Sequence, residues 1–486
     1  MPETTFDWAS LAPAIPEIYL AGAVCALLMI DVFFGQTRRG LTATLTLVVL
    51  AGGAALTAAY AQVSQPTLVF SGLYVADSLG YVLKLFGFLF VAVALLYSRS
   101  YMEERSLMRG EYFVLALTAL LGVFVLVSAN SLLTVYVGVE LLALSVYAMV
   151  AFDRDSGVAA EAAMKYFVLG AIASGTLLYG MSMIYGMTGT LALDELAGAI
   201  DGSRGALSPG LILGLVFVVV AVAFKLGAVP FHMWLPDVYH GAPTSVTLFI
   251  GTAPKIAYFA LTFRLLAQGL GGATAEWTQM LAILAVLTLV VGNLVAIAQT
   301  NLKRMLAYST ISHIGFLLLG LINGTPAGYA AATFYAITYA ITTVAAFGMI
   351  VLLSRAGFEA EEIEDFRGLN QRNGWYAMIM LMVMASLAGV PVWVGFIAKF
   401  QVLKAAVDSG HLWLAICAGV FAVIGAFYYL RVIKVMYFDE PATAEPLALP
   451  NDMPFRFVLS ANGLGLLALG VLGGPLMAWC LEAVTR

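Results

Sequence analysis

The chain has 486 residues, of which 62% are hydrophobic and only 10% are charged, with a formal net charge of −5. Soluble domains are about half apolar and about a quarter charged, so this composition excludes a soluble globular protein and indicates a membrane protein throughout. The small net charge also argues against nucleic acid as a partner.

Long apolar segments recur along the whole chain, each sufficient to cross a hydrocarbon core of about 30 Å. Their predicted bounds are 15–34, 41–61, 77–97, 111–128, 131–151, 161–186, 208–233, 241–267, 277–298, 303–322, 328–353, 375–407, 411–437 and 455–481. These fourteen spans predict an all-α polytopic membrane protein. The first span lacks a basic flank and contains Glu17 and Asp31, which favours a retained helix over a cleaved signal peptide.

The basic residues outside the spans predict the orientation of the chain. Fourteen of them, from Arg38 to Arg456, fall on one set of alternate loops and span ends. The opposite set holds four, which are Arg204, Arg264, Lys404 and Arg486. Because cytoplasmic loops carry the excess of lysine and arginine, the larger set is predicted to face the cytoplasm and both termini the opposite, periplasmic side.

The two longest polar segments then lie on the cytoplasmic side. They are 355–374, which contains the acidic stretch FEAEEIEDF, and 438–454, which contains four prolines. Such segments are either solvated connectors between helices or a docking surface for a neighbouring subunit.

Two short motifs indicate an internal repeat: LGAVPFHMW around Pro230 resembles LAGVPVWVG around Pro391, 161 residues later. They lie in the seventh and twelfth spans, which run in opposite directions, and paired interrupted helices of this kind are typical of inverted-repeat transporters. Chance is the alternative for so short a match. The predicted organisation is a three-helix segment over 1–110, two inverted repeats with one broken helix each over 111–270 and 271–437, and a cytoplasmic linker with a last helix over 438–486.

Several ionisable residues lie deep inside the spans, although a lysine at the bilayer centre costs about 2.5–3.5 kcal/mol. Such groups should face a partner or a water-filled cavity. The candidates for a line of proton-carrying groups are one glutamate, four lysines and one histidine: Glu140, Lys165, Lys225, Lys255, His313 and Lys399. Protons need only such groups and intervening water, so the set predicts proton translocation.

Glu140 and Lys165 flank the tight connection DRDSG and are predicted to form an ion pair, because their depths differ by only roughly 7 Å on adjacent antiparallel helices. A lysine that alternates between a paired and an unpaired state can accept and release protons near neutral pH. The alternative is a buried pair that fixes helix packing.

Other structural explanations apply to the remaining residues. Proline removes a backbone hydrogen bond, so Lys225, Lys255 and Lys399 could each be satisfied by carbonyls freed at a neighbouring proline. His313 could be a packing residue. His232 and His240 could form an entrance, although their position favours a structural role at the interface. Two groups near the outer end of the third span are explained by snorkelling, namely Asp77 and Lys84.

The sequence predicts no bound cofactor and no metal site in this chain. Cys25, Cys417 and Cys480 lie on three separate apolar segments with no CxxC pair, which argues against an iron–sulfur site or a disulfide framework. There is also no GxGxxG after a strand and no P-loop, so nucleotide or flavin binding is unsupported.

Two stretches resemble the antiporter-like membrane subunits of respiratory complex I: FKLGAVPFHMWLPDVYHGAPTSVTLFIGTAPKIAYFALTFR (224–264) and NLKRMLAYSTISHIGF (301–316). The detail VYHGAPTSVT followed by APK is similar to the subunit N branch of that family. Lys399 also suits this branch, because the subunit M branch typically has a glutamate there, and the chain is too short for the subunit L branch.

The resemblance implies a proton-translocating subunit of NADH–quinone oxidoreductase in a bacterial inner membrane, and thus part of an enzyme complex, although the chain itself carries no redox centre. It also implies that Glu140 pairs with Lys165 and that Lys225, Lys255 and Lys399 carry protons, while the role of His313 is less specific. NADH, FMN, iron–sulfur clusters and quinone would belong to partner subunits. The partners would be subunit M and the small membrane subunits, within the lipid bilayer. Alternatives are a subunit of a cation/proton antiporter or membrane-bound hydrogenase, and a structural spacer.

Overall fold

The computed structural model describes residues 8–34, 39–61, 65–201, 207–441 and 450–485. The α-helices in these ranges are α1 (Ile15–Phe34), α2 (Arg39–Tyr60), α3 (Ser78–Glu104), α4 (Gly110–Val127), α5 (Leu132–Val150), α6 (Gly157–Thr188), α7 (Leu193–Asp201), α8 (Pro209–Leu226), α9 (Trp234–Gly241), α10 (Thr244–Ile250), α11 (Ala253–Thr262), α12 (Thr274–Ala298), α13 (Leu302–Ile322), α14 (Pro326–Leu353), α15 (Leu369–Arg372), α16 (Gly374–Ala388), α17 (Val394–Asp408), α18 (Leu412–Phe438), α19 (Met453–Leu472) and α20 (Gly474–Thr485). A π-helix, Phe263–Gly269, continues α11, and two short strands, β1 (Thr67–Val69) and β2 (Tyr74–Ala76), pair antiparallel.

Within the described ranges, thirteen helical stretches are long and apolar enough to cross a membrane. The remaining predicted span, 375–407, consists of two shorter helices, α16 and α17, with an interruption between them. The predicted fold class, an all-α polytopic membrane protein, is therefore confirmed. The chain is a multi-pass membrane protein.

Both predicted helix breaks are present, and glycine in the left-handed conformation ends the helix at each. α8 ends at Leu226 because Gly227 has φ +87°, and Pro230 prevents the helix from continuing. α16 ends at Ala388 because Gly389 has φ +83°. Each ending leaves the last carbonyl groups of a helix without intrahelical partners in the interior of the protein.

The predicted eighth span, 241–267, is present as the apolar stretch Thr244–Gly269, but a third break divides it. α10 ends at Ile250, and α11 begins only at Ala253 with Pro254 in its first turn, where proline is favoured. The hairpin of β1 and β2 and the short helix α7 lie in segments that the hydropathy pattern treated as loops.

The central helices are almost completely covered by protein. The segments Thr244–Gly269, Leu302–Ile322 and Pro326–Leu353 are buried over 94% or more of their most apolar window, whereas Leu11–Phe34 is buried over only 17%. The peripheral helices accordingly expose large apolar side chains, as expected for surfaces that face lipid. Charges on the central helices therefore lie in protein surroundings and not in lipid.

The acidic segment 355–374 binds the body of this chain through its carboxylates. Glu359 Oε2 accepts a hydrogen bond from Arg105 Nη2 at 2.8 Å, and Glu361 lies 3.7 Å from Lys303 Nζ. Asn301 donates to Glu362 Oε1 at 3.1 Å. These contacts favour the connector interpretation over a docking surface. Arg38, Arg204, Arg486 and residues 442–449 lie outside the described residues.

Candidate functional site

Four of the six predicted residues lie in the interior of the helix bundle. Lys225, Lys255, His313 and Lys399 are only 3%, 4%, 5% and 7% exposed. Buried polar and charged groups of this kind require compensating partners, and each of the four has at least one.

Lys225 lies in the last turn of α8, directly before the first break. Its ammonium group donates to Ser174 Oγ on α6 at 3.2 Å, and the Glu140 carboxylate on α5 is close enough to interact with its charge. Among the described residues, no carbonyl of the break accepts a hydrogen bond from this lysine, so the alternative that freed carbonyls satisfy Lys225 is wrong. The lysine instead faces a hydroxyl group and a carboxylate.

Lys255, in the first turn of α11, contacts the carbonyl end of α8. Its ammonium group donates to Leu226 O at 3.3 Å and lies 5.7 Å from the ring centre of Trp234 and 5.9 Å from that of Tyr239. A carbonyl freed at the first break therefore does bind a lysine, but it binds Lys255 and not Lys225.

Lys399 repeats this arrangement at the break between α16 and α17. Its ammonium group donates to Leu387 O at 2.9 Å and Ala388 O at 3.0 Å, and lies 5.0 Å from the ring centre of Phe316. Both lysines thus sit at the negative end of a helix dipole, which stabilises a positive charge.

His313 is the centre of a buried hydroxyl network on α13. Its Nδ1 lies 2.6 Å from Tyr335 Oη, and its Nε2 lies 3.1 Å from Tyr429 Oη, which in turn is 2.5 Å from Ser309 Oγ. The ring is also close enough to Lys399 to interact with its charge. His313 is therefore both packed and hydrogen-bonded through its two nitrogens.

A small cavity joins His313 to the second break. Its volume of about 10 Å³ is the space that one water molecule needs, and Tyr339, Thr342 and Ser386 contribute hydroxyl groups to its wall. Tyr339 donates to Thr310 Oγ1 at 2.7 Å, and its ring centre is 4.8 Å from that of His313.

Tyr239, on α9, is fully buried, and its hydroxyl group interacts with the side chain of Thr310 on α13. The Tyr239 ring lies beside the ammonium group of Lys255, with 5.9 Å between the nitrogen and the ring centre.

The predicted ion pair between Glu140 and Lys165 is not formed. Lys165 Nζ instead lies 2.8 Å from Asp237 Oδ2 and 2.9 Å from Glu161 Oε1, and its side chain is 45% exposed. Glu140 Oε1 is buried without a hydrogen-bond partner in the described part of the chain. The helical spacing correctly placed the two residues on adjacent helices, but the Lys165 side chain points away from Glu140 toward α9.

Asp237 is the main residue that sequence reasoning missed. It lies on α9, just after the first break, and Arg304 of α13 contacts its second oxygen at 3.1 Å. Burial raises the pKa of Asp237, but hydrogen bonds from Lys165 and Arg304 outweigh that effect and hold the pKa below its usual value. An acidic residue seven positions after Pro230 was a usable signal in the sequence.

Two cavities surround this cluster at the ends of α6, α9 and α13. One, of about 260 Å³, is lined by Lys165, Asp237, His240 and Arg304. The second, of about 350 Å³, also includes His240 and extends to Lys303, Glu359 and Glu361. His240 thus belongs to both cavities, and we call the two together the polar vestibule.

The prediction that Asp77 and Lys84 reach the aqueous interface by snorkelling is also wrong. Lys84 is fully buried, with its ammonium group 2.6 Å from Glu17 Oε1 and 2.8 Å from Tyr74 Oη. Asp77 forms a bidentate ion pair with Arg264, in which Nη1 donates to Oδ2 at 2.6 Å and Nη2 donates to Oδ1 at 2.8 Å. The helix α1 and the β-hairpin cover this end of α3, so both charges are satisfied by protein and not by water.

Fold and site together define a class: a multi-pass membrane protein with a series of buried titratable groups at interrupted helices, as in ion-translocating proteins. Residues 129–425 match the family described as NADH:quinone oxidoreductase/Mrp antiporter, TM. The chain belongs to this family, and the resemblance seen in the sequence is confirmed.

Individual proteins agree with that assignment. NADH-quinone oxidoreductase subunit N of Thiobacillus denitrificans is 56% identical over 473 residues, which is 97% of each chain. A chain of respiratory complex I from Thermus thermophilus, solved with bound aureothin, has a TM-score of 0.81 and 32% identity, covering 95% of this chain and 98% of that one. A chain of the Mrp complex from Dietzia sp. has a TM-score of 0.84 at 22% identity, covering 98% and 97%, and shares the fold.

Proposed function

We propose that the chain is the proton-translocating membrane subunit of a bacterial NADH–quinone oxidoreductase, and that Glu140, Lys165, Lys225, Lys255, His313 and Lys399 carry or control the protons. The observation that supports this most strongly is that Lys225, Lys255, His313 and Lys399 are all buried, with Lys225 and Lys255 at the first helix break and Lys399 at the second. Proton movement in partner-driven pumps requires such groups in series.

The first half of the path begins at the polar vestibule, where protons enter from the cytoplasm. Lys225 accepts a proton in the presence of the Glu140 carboxylate and the Ser174 hydroxyl. Lys255 receives it next. Its ammonium group donates to the carbonyl oxygen of Leu226, and Leu226 is the residue that follows Lys225 in the chain.

The second half runs through hydroxyl groups and the histidine. Tyr239 contacts Lys255, the pair of Tyr339 and Thr310 adjoins His313, and His313 interacts with the charge of Lys399. Water in the cavity beside His313 completes the connection to the second break. Lys399, held by two carbonyl groups, is the last lysine of the proposed path.

The energy for this movement comes from partner subunits in the proposed complex. NADH, FMN, iron–sulfur clusters and quinone belong to those partners, and this chain carries no redox centre. Its neighbours in the membrane are the antiporter-like subunit M and the small membrane subunits. Both termini face the periplasm, as the distribution of basic residues predicts, and 111–270 and 271–437 act as two inverted halves that meet between Lys255 and His313.

The test is the variant Lys225→Ala in the assembled complex, in sealed membrane vesicles supplied with NADH. We expect most of the coupled proton movement to be lost while NADH oxidation in the presence of an uncoupler continues. Lys434→Ala is the matched control, because Lys434 is 63% exposed and pairs with Asp439 on the surface. A normal ratio of protons to electrons in Lys225→Ala refutes the proposed role.

A further inference from the structure

Arg264 lies in the π-helix that continues α11, and its side chain is only 1% exposed. Its Nη1 and Nη2 donate to the two oxygens of Asp77 at 2.6 and 2.8 Å, and its Nε donates to Val127 O at 2.9 Å. Nη1 also donates to Gln268 Oε1 at 2.9 Å. One buried side chain thus joins the π-helix to the start of α3 and to the end of α4.

Asp77 holds the other side of this contact in a fixed place. It is the N-cap residue of α3, where its Oδ1 accepts a hydrogen bond from Gly80 N at 2.8 Å. A carboxylate that caps a helix and binds both arms of a guanidinium has little freedom to turn, because a bidentate pair sets an angle as well as a distance. We call Asp77 and Arg264 together the outer clamp.

The outer clamp and Lys255 lie at opposite ends of one helical rod. Lys255 is in the first turn of α11, nine positions before Arg264, which corresponds to roughly 13 Å along the helix axis. The inner end of α11 does not continue from another helix, because α10 ends at Ile250 and α11 begins at Ala253. Apolar packing along the rod is non-directional, so the directional contacts at the outer end set the height and rotation of α11.

A small displacement of α11 matters at Lys255 because its hydrogen bond to α8 is already long. The ammonium group donates to Leu226 O at 3.3 Å, slightly beyond the usual range. A small shift away from α8 would break this bond and leave the rings of Trp234 and Tyr239 as neighbours, at 5.7 and 5.9 Å. The carbonyl favours the charged amine, so its loss would favour release of the proton.

We infer that Arg264 is a positioning residue, which holds Lys255 against the carbonyl end of α8 through its bidentate contact with Asp77. This rests on the proposed function, because it assumes that Lys255 carries protons. The groups that face the Lys255 ammonium are the Leu226 carbonyl of α8 and two rings of α9, of which the Tyr239 ring bears a titratable hydroxyl.

The pair of Lys84 and Glu17 provides a matched control at the same end of α3. It is also buried, with 2.6 Å between the ammonium group and the carboxylate, but it joins α3 to α1 and includes no residue of α11. Replacement of a whole buried pair by neutral residues is often close to neutral in stability. A loss of this pair therefore reports what a change at the outer end of α3 does without touching the helix that carries Lys255.

The test compares Arg264→Lys with Lys84→Met/Glu17→Gln in the assembled complex, in sealed vesicles supplied with NADH, as the ratio of protons to electrons across a range of pH. Arg264→Lys keeps a positive charge for Asp77 but cannot reproduce the planar two-armed contact. We expect the upper pH limit of pumping to fall by about one pH unit in Arg264→Lys, because that shift corresponds to the loss of one hydrogen bond to a charged group. The double variant keeps the parent profile.

Two outcomes overturn the inference. A parent profile in Arg264→Lys shows that charge alone suffices at this position, and an equal shift in the double variant shows that general loosening of α3 is the cause. If Arg264→Lys does not assemble, Asp77→Glu displaces the guanidinium by one methylene group while keeping the charge, and a parent profile there overturns the inference as well. Normal pumping in Lys255→Met contradicts the proposed function itself, whereas loss in Lys255→Met with a parent profile in Arg264→Lys contradicts only this inference.

Discussion

Replacement of Lys84 by methionine should strongly destabilise the outer end of α3. Lys84 is fully buried, and its ammonium group is the charged partner of Glu17 at 2.6 Å. Methionine keeps most of the volume of lysine but leaves the Glu17 carboxylate without a counter-ion in a site where its side chain is only 11% exposed. Breaking one member of a buried pair costs about 3–5 kcal/mol, chiefly from the stranded charge.

The same reasoning predicts that the double variant Lys84→Met/Glu17→Gln recovers most of the loss. Its glutamine is neutral and can still accept a hydrogen bond from Tyr74, which contacts both oxygens of Glu17 in the parent protein at 3.1 Å. Replacement of a whole buried pair by neutral residues of similar size is often close to neutral in stability. The single variant should therefore be less stable than the double variant.

Cys480 provides the assay for these variants. It is fully buried on α20, which packs against α3 and α14, so a thiol reagent reaches it only when this region opens. Cys25 and Cys417, the other two cysteines, are accessible to different degrees and are replaced by serine in all proteins compared. A cost of about 3–5 kcal/mol raises the opened fraction more than about a hundredfold, and labelling accelerates accordingly.

Two results would refute this reasoning. If Lys84→Met were labelled at the rate of the parent protein, the Lys84–Glu17 pair would not contribute to stability. If the double variant were labelled as fast as the single variant, the loss would come from packing around the lysine and not from the unpaired carboxylate.

Two further predictions concern the proton path. Tyr239→Phe removes a buried hydroxyl group but keeps the ring that lies beside the Lys255 ammonium, so the complex should assemble normally but pump more slowly; unchanged pumping rates in vesicles would exclude this hydroxyl from the path. Neutralisation of all four lysines of the set by methionine should abolish coupled proton movement, whereas retained pumping would favour a structural spacer; the four are Lys165, Lys225, Lys255 and Lys399.

The sequence was sufficient to predict features that depend on distance along the chain. The length of each apolar segment predicted the membrane spans, and Pro230 and Pro391 marked two of the breaks. The third break, before Pro254, had the same kind of signal in GTAPK, but the surrounding residues are so apolar that the hydropathy pattern continued across it. Hydropathy reports burial and does not report the continuity of a helix.

The partners of the buried charges depend on features that spacing does not contain. Counting residues gave Glu140 and Lys165 similar depths, but the direction in which the Lys165 side chain leaves α6 decides its partner, and that direction is set by packing against α9. Arg264 and Asp77 were treated as interfacial charges, yet 187 residues separate the two members of this buried pair. No local pattern links residues that far apart.

Lys255 and Lys399, the lysines whose ammonium groups bind carbonyls at the helix breaks, differ from Lys84 in the chemical type of their hydrogen-bond partners. Lys84 faces a carboxylate, whereas Lys255 and Lys399 face main-chain oxygens at Leu226, Leu387 and Ala388. A peptide oxygen stabilises a cation but does not itself ionise, so deprotonation of either amine leaves behind no bare anion in the protein interior. Neutral surroundings of this type allow the same amine to gain and lose a proton repeatedly. Lys84 lacks this freedom, because loss of its proton would leave the Glu17 carboxylate without a counter-ion.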